Sequence, residues 1–130
     1  MILIDSSAWI EFLRNTSSPL CGRVEALLDD NIAICDPIRM EILAGARDDR
    51  HLSDLRRLLA RATNLPMSTS NYEEAASLYR ICRRGGETVR RLIDCLIASV
   101  AIREGISVLH QDADYEVLSR HTDLRIELLK

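Results

Sequence analysis

Asp5, Glu41, Asp94 and Asp112 lie far apart in the chain, yet each falls where a strand end or an otherwise apolar helix would aim it into one cleft. Asp5 ends the run Met1-Ile2-Leu3-Ile4, and Asp112 closely follows Val108-Leu109-His110. Asp94 stands among Ile93, Cys95, Leu96, Ile97 and Ala98, where burying a lone charge is costly. Clustered carboxylates repel one another and raise each other's pKa unless a cation neutralises them. Hard divalent ions such as Mg2+ or Mn2+ take oxygen ligands and suit such a cluster. An ion so held would activate water and stabilise charge at a scissile phosphate, which is phosphodiester hydrolysis without a nucleophilic side chain. No G-x-x-x-x-G-K-[ST] loop, G-x-S-x-G elbow or H-E-x-x-H helix competes with this chemistry.

Each acid also has a plain structural reading. Asp5 and Asp112 are each able to cap the helix that follows, and Glu41 is able to pair with Arg39, Arg47 or another arginine. For Asp94 the main competitor is an ion pair with Arg90.

The elements that must bring these residues together are legible in the hydrophobic pattern. Met1 to Ile4 reads as a buried strand, and Ser6 or Ser7 as the cap of a helix carrying Trp9, Ile10, Phe12 and Leu13. Pro19 opens a second helix with Leu20, Val24, Leu27 and Leu28 inward, and Ile32 to Cys35 forms the next strand. Asp36-Pro37 reads as an N-cap and first position of a helix running through Glu41 to Gly45. A helix over His51 to Thr63, a short strand at Leu65 to Met67 and a helix capped by Ser70 and ended by Gly85-Gly86 come next. Arg91 to Arg103 is the most apolar helix, stopped by Gly105. A strand at Ile106 to Leu109, a helix at Asp114 to Ser119 and a strand at Leu124 to Leu128 complete the chain. Alternating strands and helices predict an α/β fold, a single domain over 1–130 with a central parallel sheet flanked by helices on both faces. Ligands bind beyond the carboxyl ends of such strands, where Asp5 and Asp112 fall.

Composition agrees with one folded domain: 130 residues, 47% hydrophobic and 28% charged, exclude a disordered or low-complexity chain. No apolar run approaches the roughly 20 residues that span a bilayer, and no secretory signal opens the sequence, so a cytoplasmic location without membrane contact is expected. Cys21, Cys35, Cys82 and Cys95 form no C-x-x-C pair and read as small core residues. The net charge of −3 argues against general attraction to nucleic acid. Arg80, Arg83, Arg84, Arg90 and Arg91 nevertheless crowd the stretch around Gly85-Gly86, and arginine suits phosphate contacts. A solvated helix end is the simpler reading of that cluster.

Four segments taken together resemble a known family. Ile2-Leu3-Ile4-Asp5-Ser6-Ser7, Met40-Glu41-Ile42-Leu43-Ala44-Gly45, Gly86-Glu87-Thr88-Val89-Arg90 leading to Ile93-Asp94-Cys95-Leu96-Ile97-Ala98, and His110-Gln111-Asp112-Ala113-Asp114-Tyr115 are similar to the motifs of PIN-domain ribonucleases of the VapC toxin family. Each motif alone is weak; four in the right order and spacing, over nearly the whole chain, are a strong signal.

The resemblance implies a PIN-like fold and a Mg2+- or Mn2+-dependent endoribonuclease with Asp5, Glu41, Asp94 and Asp112 as the acidic quartet. It implies Asp5, Asp94, Asp112 and Asp114 as metal ligands, with the fourth place open between Asp112 and Asp114, and Ser7 as a supporting hydroxyl. Tyr115 departs from the phenylalanine commoner there, and its ring is expected in the core. The resemblance further implies RNA as substrate, often tRNA cut to arrest translation, a VapB-type antitoxin whose tail covers the cleft, and a homodimer. Trp9 and Phe12 on the first helices are expected as exposed anchors for that antitoxin, with core packing the competing reading for Trp9. Arg84, Arg90 and Arg91 are expected to grip RNA phosphates, so that reversing their charge would weaken RNA binding and leave metal affinity intact.

Other folds with strand-end acids fit less well. A phosphotransfer receiver needs an acidic pair after its first strand and a late lysine, but Ser6-Ser7 follows Asp5 and the only lysine is Lys130. A haloacid-dehalogenase-like phosphatase needs Asp-x-Asp, and Ser7 takes the second place. An RNA-binding PIN fold without activity is opposed by the intact quartet.

Overall fold

Three short aliphatic runs form the middle of the sheet: β1 (Ile2–Ile4), β2 (Ile32–Ile34) and β4 (Ser107–Leu109). Their continuous apolar character, without polar alternation, reflects cover on both faces. In the computed structural model, which describes residues 1–129, the edge strands are β3 (Thr63–Asn64) and β5 (Arg125–Ile126). All pairings are parallel and the strand order is β3-β2-β1-β4-β5, with Leu3 opposite Ala33 on one side and Val108 on the other.

Seven helices connect these strands: α1 (Ser6–Arg14), α2 (Pro19–Leu27), α3 (Asp36–Ala44), α4 (Asp49–Leu59), α5 (Thr69–Arg84), α6 (Leu92–Glu104) and α7 (Ala113–His121). From β1 the chain steps outward through β2 to β3, then returns past β1 to β4 and steps outward the other way to β5. Right-handed crossovers in opposite directions place α1 to α4 on one face and α5 to α7 on the other. The packing agrees, since α1 touches α2 and α3, α3 touches α4, and α5, α6 and α7 contact one another. The order therefore reverses between β1 and β4, the place where sheets of this kind bind ligands at the carboxyl ends of their strands.

Several boundaries differ from the sequence reading for local reasons. Cys35 is the N-cap of α3, so Asp36 is its first helical residue and makes no side-chain cap. The cap of α5 is Ser68, not Ser70, because Asn71 closes a reciprocal box by accepting from the Ser68 amide at 3.0 Å. The third strand lies at Thr63–Asn64, ahead of the expected Leu65 to Met67. Leu65 donates one last rung to the Ile34 carbonyl at 2.8 Å, and Pro66, without an N–H, cannot continue the ladder. The final strand shrinks to Arg125–Ile126, leaving Leu128 exposed.

The core joins both helical layers through the sheet and includes Trp9 and Tyr115 as its largest fully buried side chains. Trp9 is 0% exposed, so it packs in the core and is not a surface anchor; Phe12 is half-buried, and Ile10 and Leu13 are the exposed apolar residues of α1. All four cysteines are buried and free, and burial pushes the Cys35 and Cys95 thiols up to about 12, as expected of inert core residues. Among the described residues no helix is long and apolar enough to cross a membrane.

Candidate active site

The reversal between β1 and β4 places Asp5 and Asp112 on neighbouring strand ends. Asp5 caps α1 while its amide donates to the Leu109 carbonyl at 3.0 Å, and Asp112 caps α7 by accepting from the Asp114 amide at 2.9 Å. Both capping readings therefore hold, and neither competes with a place in the cleft. Asp94 enters from the first turn of α6 and Asp114 from the first turn of α7. Asp5, Asp94 and Asp114 are all buried, at 3%, 1% and 2% exposed, while Asp112 and Glu41 are partly open.

Donors are distributed unevenly over this cluster. Asp5 Oδ2 accepts from the Ser7 amide at 3.0 Å and from Ser7 Oγ at 2.6 Å; Asp5 Oδ1 accepts from the Tyr115 hydroxyl at 2.6 Å. Ser7 Oγ in turn accepts from the Gln111 amide at 2.9 Å, which ties the loop after β4 to the start of α1. Asp114 accepts from the backbone amides of Arg90 and Arg91 at 3.0 and 3.1 Å. Asp94 has no such support: its Oδ2 is buried without any hydrogen-bond partner. One oxygen each from Asp94, Asp112 and Asp114 lie within 4.8 Å of one another, close enough to share a metal ion.

The charges reflect that asymmetry. Burial, hydrogen bonding with Asp114 and the charges of Asp5 and Asp112 together push Asp94 up to about 8, against a smaller opposing pull from Arg91. Burial acts on Asp114 in the same sense but is overcome by hydrogen bonds from Asp94 and Arg90 and from the Arg91 amide, which hold it below the usual carboxylate range. The surroundings thus favour a proton on Asp94 over one on Asp114. Burial lowers the neighbouring His110 from its ordinary value.

Glu41 lies at the rim on α3. Its Oε1 accepts from Ser6 Oγ at 2.6 Å, and its Oε2 pairs with the Arg91 guanidinium. Arg90 pairs with Asp112 at 3.0 Å and with Asp114 at 3.3 Å, so the anticipated competitor, an Arg90–Asp94 ion pair, does not form. Arg84 stands exposed in the last turn of α5. Because Arg90 and Arg91 touch the acids themselves, charge reversal there would disturb the acidic cluster too, and independence from metal affinity is left to Arg84 alone.

Two groups escaped sequence reasoning. The Tyr115 hydroxyl reaches the acids from a ring otherwise read as core, and the Ser6 hydroxyl holds Glu41. A tyrosine beside apolar helix positions signals a buried polar tip that needs a partner, but its partner depends on which strand end lies underneath.

The donor set fits a hard divalent cation. It is all carboxylate, it lies at the carboxyl edge of the sheet, and it contains a buried oxygen without a donor.

Comparison with known proteins agrees with this architecture. A PIN domain family model matches residues 2–121. The chain is 46% identical over 129 residues to a VapC ribonuclease of Mycobacterium bovis, with 96% of each chain covered. It is equally similar to ribonuclease VapC11 of Mycobacterium tuberculosis, and 30% identical over 99 residues to ribonuclease VapC6 of that organism, covering 73% of this chain and 77% of the relative. A similar fold occurs in VapBC2 from Rickettsia felis bound to a promoter DNA fragment, with a TM-score of 0.77, 20% identity and 98% of each chain covered. DNA-bound VapBC from Salmonella typhimurium matches with a TM-score of 0.76 and 21% identity, over 97% of this chain and 96% of that one.

Proposed function

The chain belongs to the VapC ribonucleases of the PIN-domain family, and from that premise we propose a divalent-metal-dependent endoribonuclease that cuts structured RNA at the Asp94 cleft. The observation that supports the metal dependence is the grouping of one oxygen each from Asp94, Asp112 and Asp114 within 4.8 Å, beside the buried, unpartnered Oδ2 of Asp94. Asp5, Asp94, Asp112 and Asp114 would hold Mg2+, with Mn2+ as a substitute. A divalent cation, when bound, supplies Lewis acidity toward water and phosphate oxygen.

The chain's own groups divide the remaining work. Burial and the neighbouring acids push Asp94 up to about 8, and it would have to be ionised to act as a ligand. Ser7 and Tyr115 hold Asp5 from both of its oxygens, so this carboxylate needs little reorganisation. Arg90 and Arg91 occupy the acids without RNA and are placed to transfer their guanidinium groups to backbone phosphates when RNA enters. Arg84, exposed in the last turn of α5, would add to the basic rim. Glu41, held by Ser6, completes the catalytic quartet at the open side of the cleft.

The substrate in this reading is RNA, with a tRNA loop as the favoured target and inhibition of translation in the cytoplasm as the outcome. The solved relatives whose printed names pair VapB with VapC support a VapB-type antitoxin as partner. Exposed Ile10 and Leu13 of α1 line a groove with Ile42 and Leu55 that opens beside Glu41, and this groove suits an antitoxin's apolar segment. A homodimer is supported by the apolar face where exposed Tyr72 of α5 and Leu92 of α6 meet Ala75 and Leu96.

The test is cleavage of end-labelled RNA by the purified chain with Mg2+ or Mn2+, with chelator, and by Asp94→Asn. Cleavage that needs the ion and is lost in a folded Asp94→Asn variant is expected. Chelator-resistant cutting, or full activity in Asp94→Asn, would overturn the metal mechanism.

A further inference from the structure

We propose that Tyr115 is a positioning residue for the metal-binding carboxylates, its hydroxyl fixing Asp5 relative to Asp94 so that the two acids can share one cation. This inference rests on the metal-dependent reading above. The Tyr115 ring is 0% exposed and lies against His110 with ring centroids 5.1 Å apart. Packing accounts for the ring but not for the oxygen, since a buried O–H requires an acceptor and a phenylalanine would fill the same space without one.

The hydroxyl stands 2.6 Å from Asp5 Oδ1 and 3.4 Å from Asp94 Oδ1. It has one proton to give, and the shorter contact, to a carboxylate, takes it. Among the described residues it is the one side chain within hydrogen-bond distance of both the carboxylate at the end of β1 and that of α6. Ser7 holds the opposite oxygen of Asp5, so the carboxylate is clamped at both ends and its rotation is fixed. Without the phenol, Asp5 Oδ1 and Asp94 Oδ1 would be neighbouring buried oxygens with no donor between them, and Asp5 would be free to turn from the cleft. Groups that orient a metal ligand in this way typically contribute about 10- to 100-fold to metal affinity.

Mn2+ titration of the full chain by calorimetry or electron paramagnetic resonance, wild type against Tyr115→Phe, tests this. A folded Y115F with Mn2+ affinity lowered by about tenfold or more, and RNA binding in chelator unchanged, is expected. Equal or tighter Mn2+ binding by folded Y115F would overturn it. A measurement on the wild type removes any dependence on the variant's folding: of the three tyrosines, Tyr115 alone should shift its 13Cζ resonance on addition of Mg2+, whereas Tyr72 and Tyr79 should not. An unmoved Tyr115 resonance in a chain that binds the ion refutes the role. A wild type that binds neither Mn2+ nor Mg2+ removes the metal reading itself, and this inference with it.

Discussion

Arg91 and Glu41, 50 residues apart, close one rim of the cleft: the guanidinium at the start of α6 pairs with the carboxylate that Ser6 holds from the other side. Arg90 does the same for Asp112 and Asp114. The acids of the free protein are thus partly neutralised by the two arginines proposed to meet phosphate.

Competition between cation and arginine follows. Arg90→Gln should tighten Mn2+ binding several-fold by removing a positive charge from Asp112 and Asp114, while weakening RNA. Arg84→Glu should weaken RNA and leave Mn2+ affinity unchanged. Stability should change little in either variant, since these arginines are largely exposed and their pairs are screened by solvent. Parallel Mn2+ and RNA titrations read both; unchanged Mn2+ affinity in Arg90→Gln would count against the competition.

The Asp94 proton makes the metal-free chain sensitive to pH. Its folded pKa of about 8 lies above the ordinary 3.8, so the folded state binds the extra proton between these values. Stability from this group is fully present below the lower value, declines as pH rises and is lost above the higher. Asp94→Asn removes that loss. In chelator at about pH 9 it should therefore be more stable than wild type, by on the order of 1–2 kcal/mol in denaturant unfolding, with the gap closing toward pH 4. Mn2+ should raise the wild-type melting point, by about 2.7 kcal/mol of stability at 100 times its Kd, and leave Asp94→Asn nearly unmoved.

The loop that carries Arg90 and Arg91 is anchored by tight packing at Gly85. A Cβ there would lie 2.5 Å from His121 Nδ1 and 2.6 Å from its Cε1. Gly85→Ala must displace the His121 ring and its 2.8 Å contact with Glu87. A loss of roughly 1–2 kcal/mol is expected in denaturant unfolding, and His121→Ala in the same chain should recover part of it. Additive losses would show that the clash is not the cause.

Hydrogen bonds from Arg120 and His121 hold Glu87 down to about 2, well under the ordinary 4.5. With a depressed folded pKa, its stabilising contribution is present above 4.5 and fades as pH falls toward 2. Glu87→Gln should thus lower the melting point at neutral pH and narrow its difference from wild type in acid.

Partner binding should be separable from cleavage. Leu13→Glu, in the groove beside Glu41, is expected to abolish capture by a co-expressed VapB-type antitoxin while RNA cleavage persists. Intact capture would move the antitoxin to another face.

By itself the sequence determined the alternation of strands and helices, and hence the parallel sheet. It also placed Asp5 and Asp112 at strand ends, because periodicity and caps are local and Asp5 is one residue past β1. The family motifs carried the remaining acids. Tertiary structure alone decided the partnerships. Ser68 outcompeted Ser70 as a cap through Asn71, and Pro66 cut short the third strand, both small local contests. Larger effects came from long-range placement: Trp9 went to the core when the helices closed over the sheet. Arg90 reached Asp112 and Asp114, not Asp94, because the loop before α6 passes over the start of α7. The Tyr115 hydroxyl met Asp5 110 residues away because β4, which precedes its helix, lies beside β1. Contacts of that kind depend on strand order, and a side chain's neighbours along the chain carry no record of it.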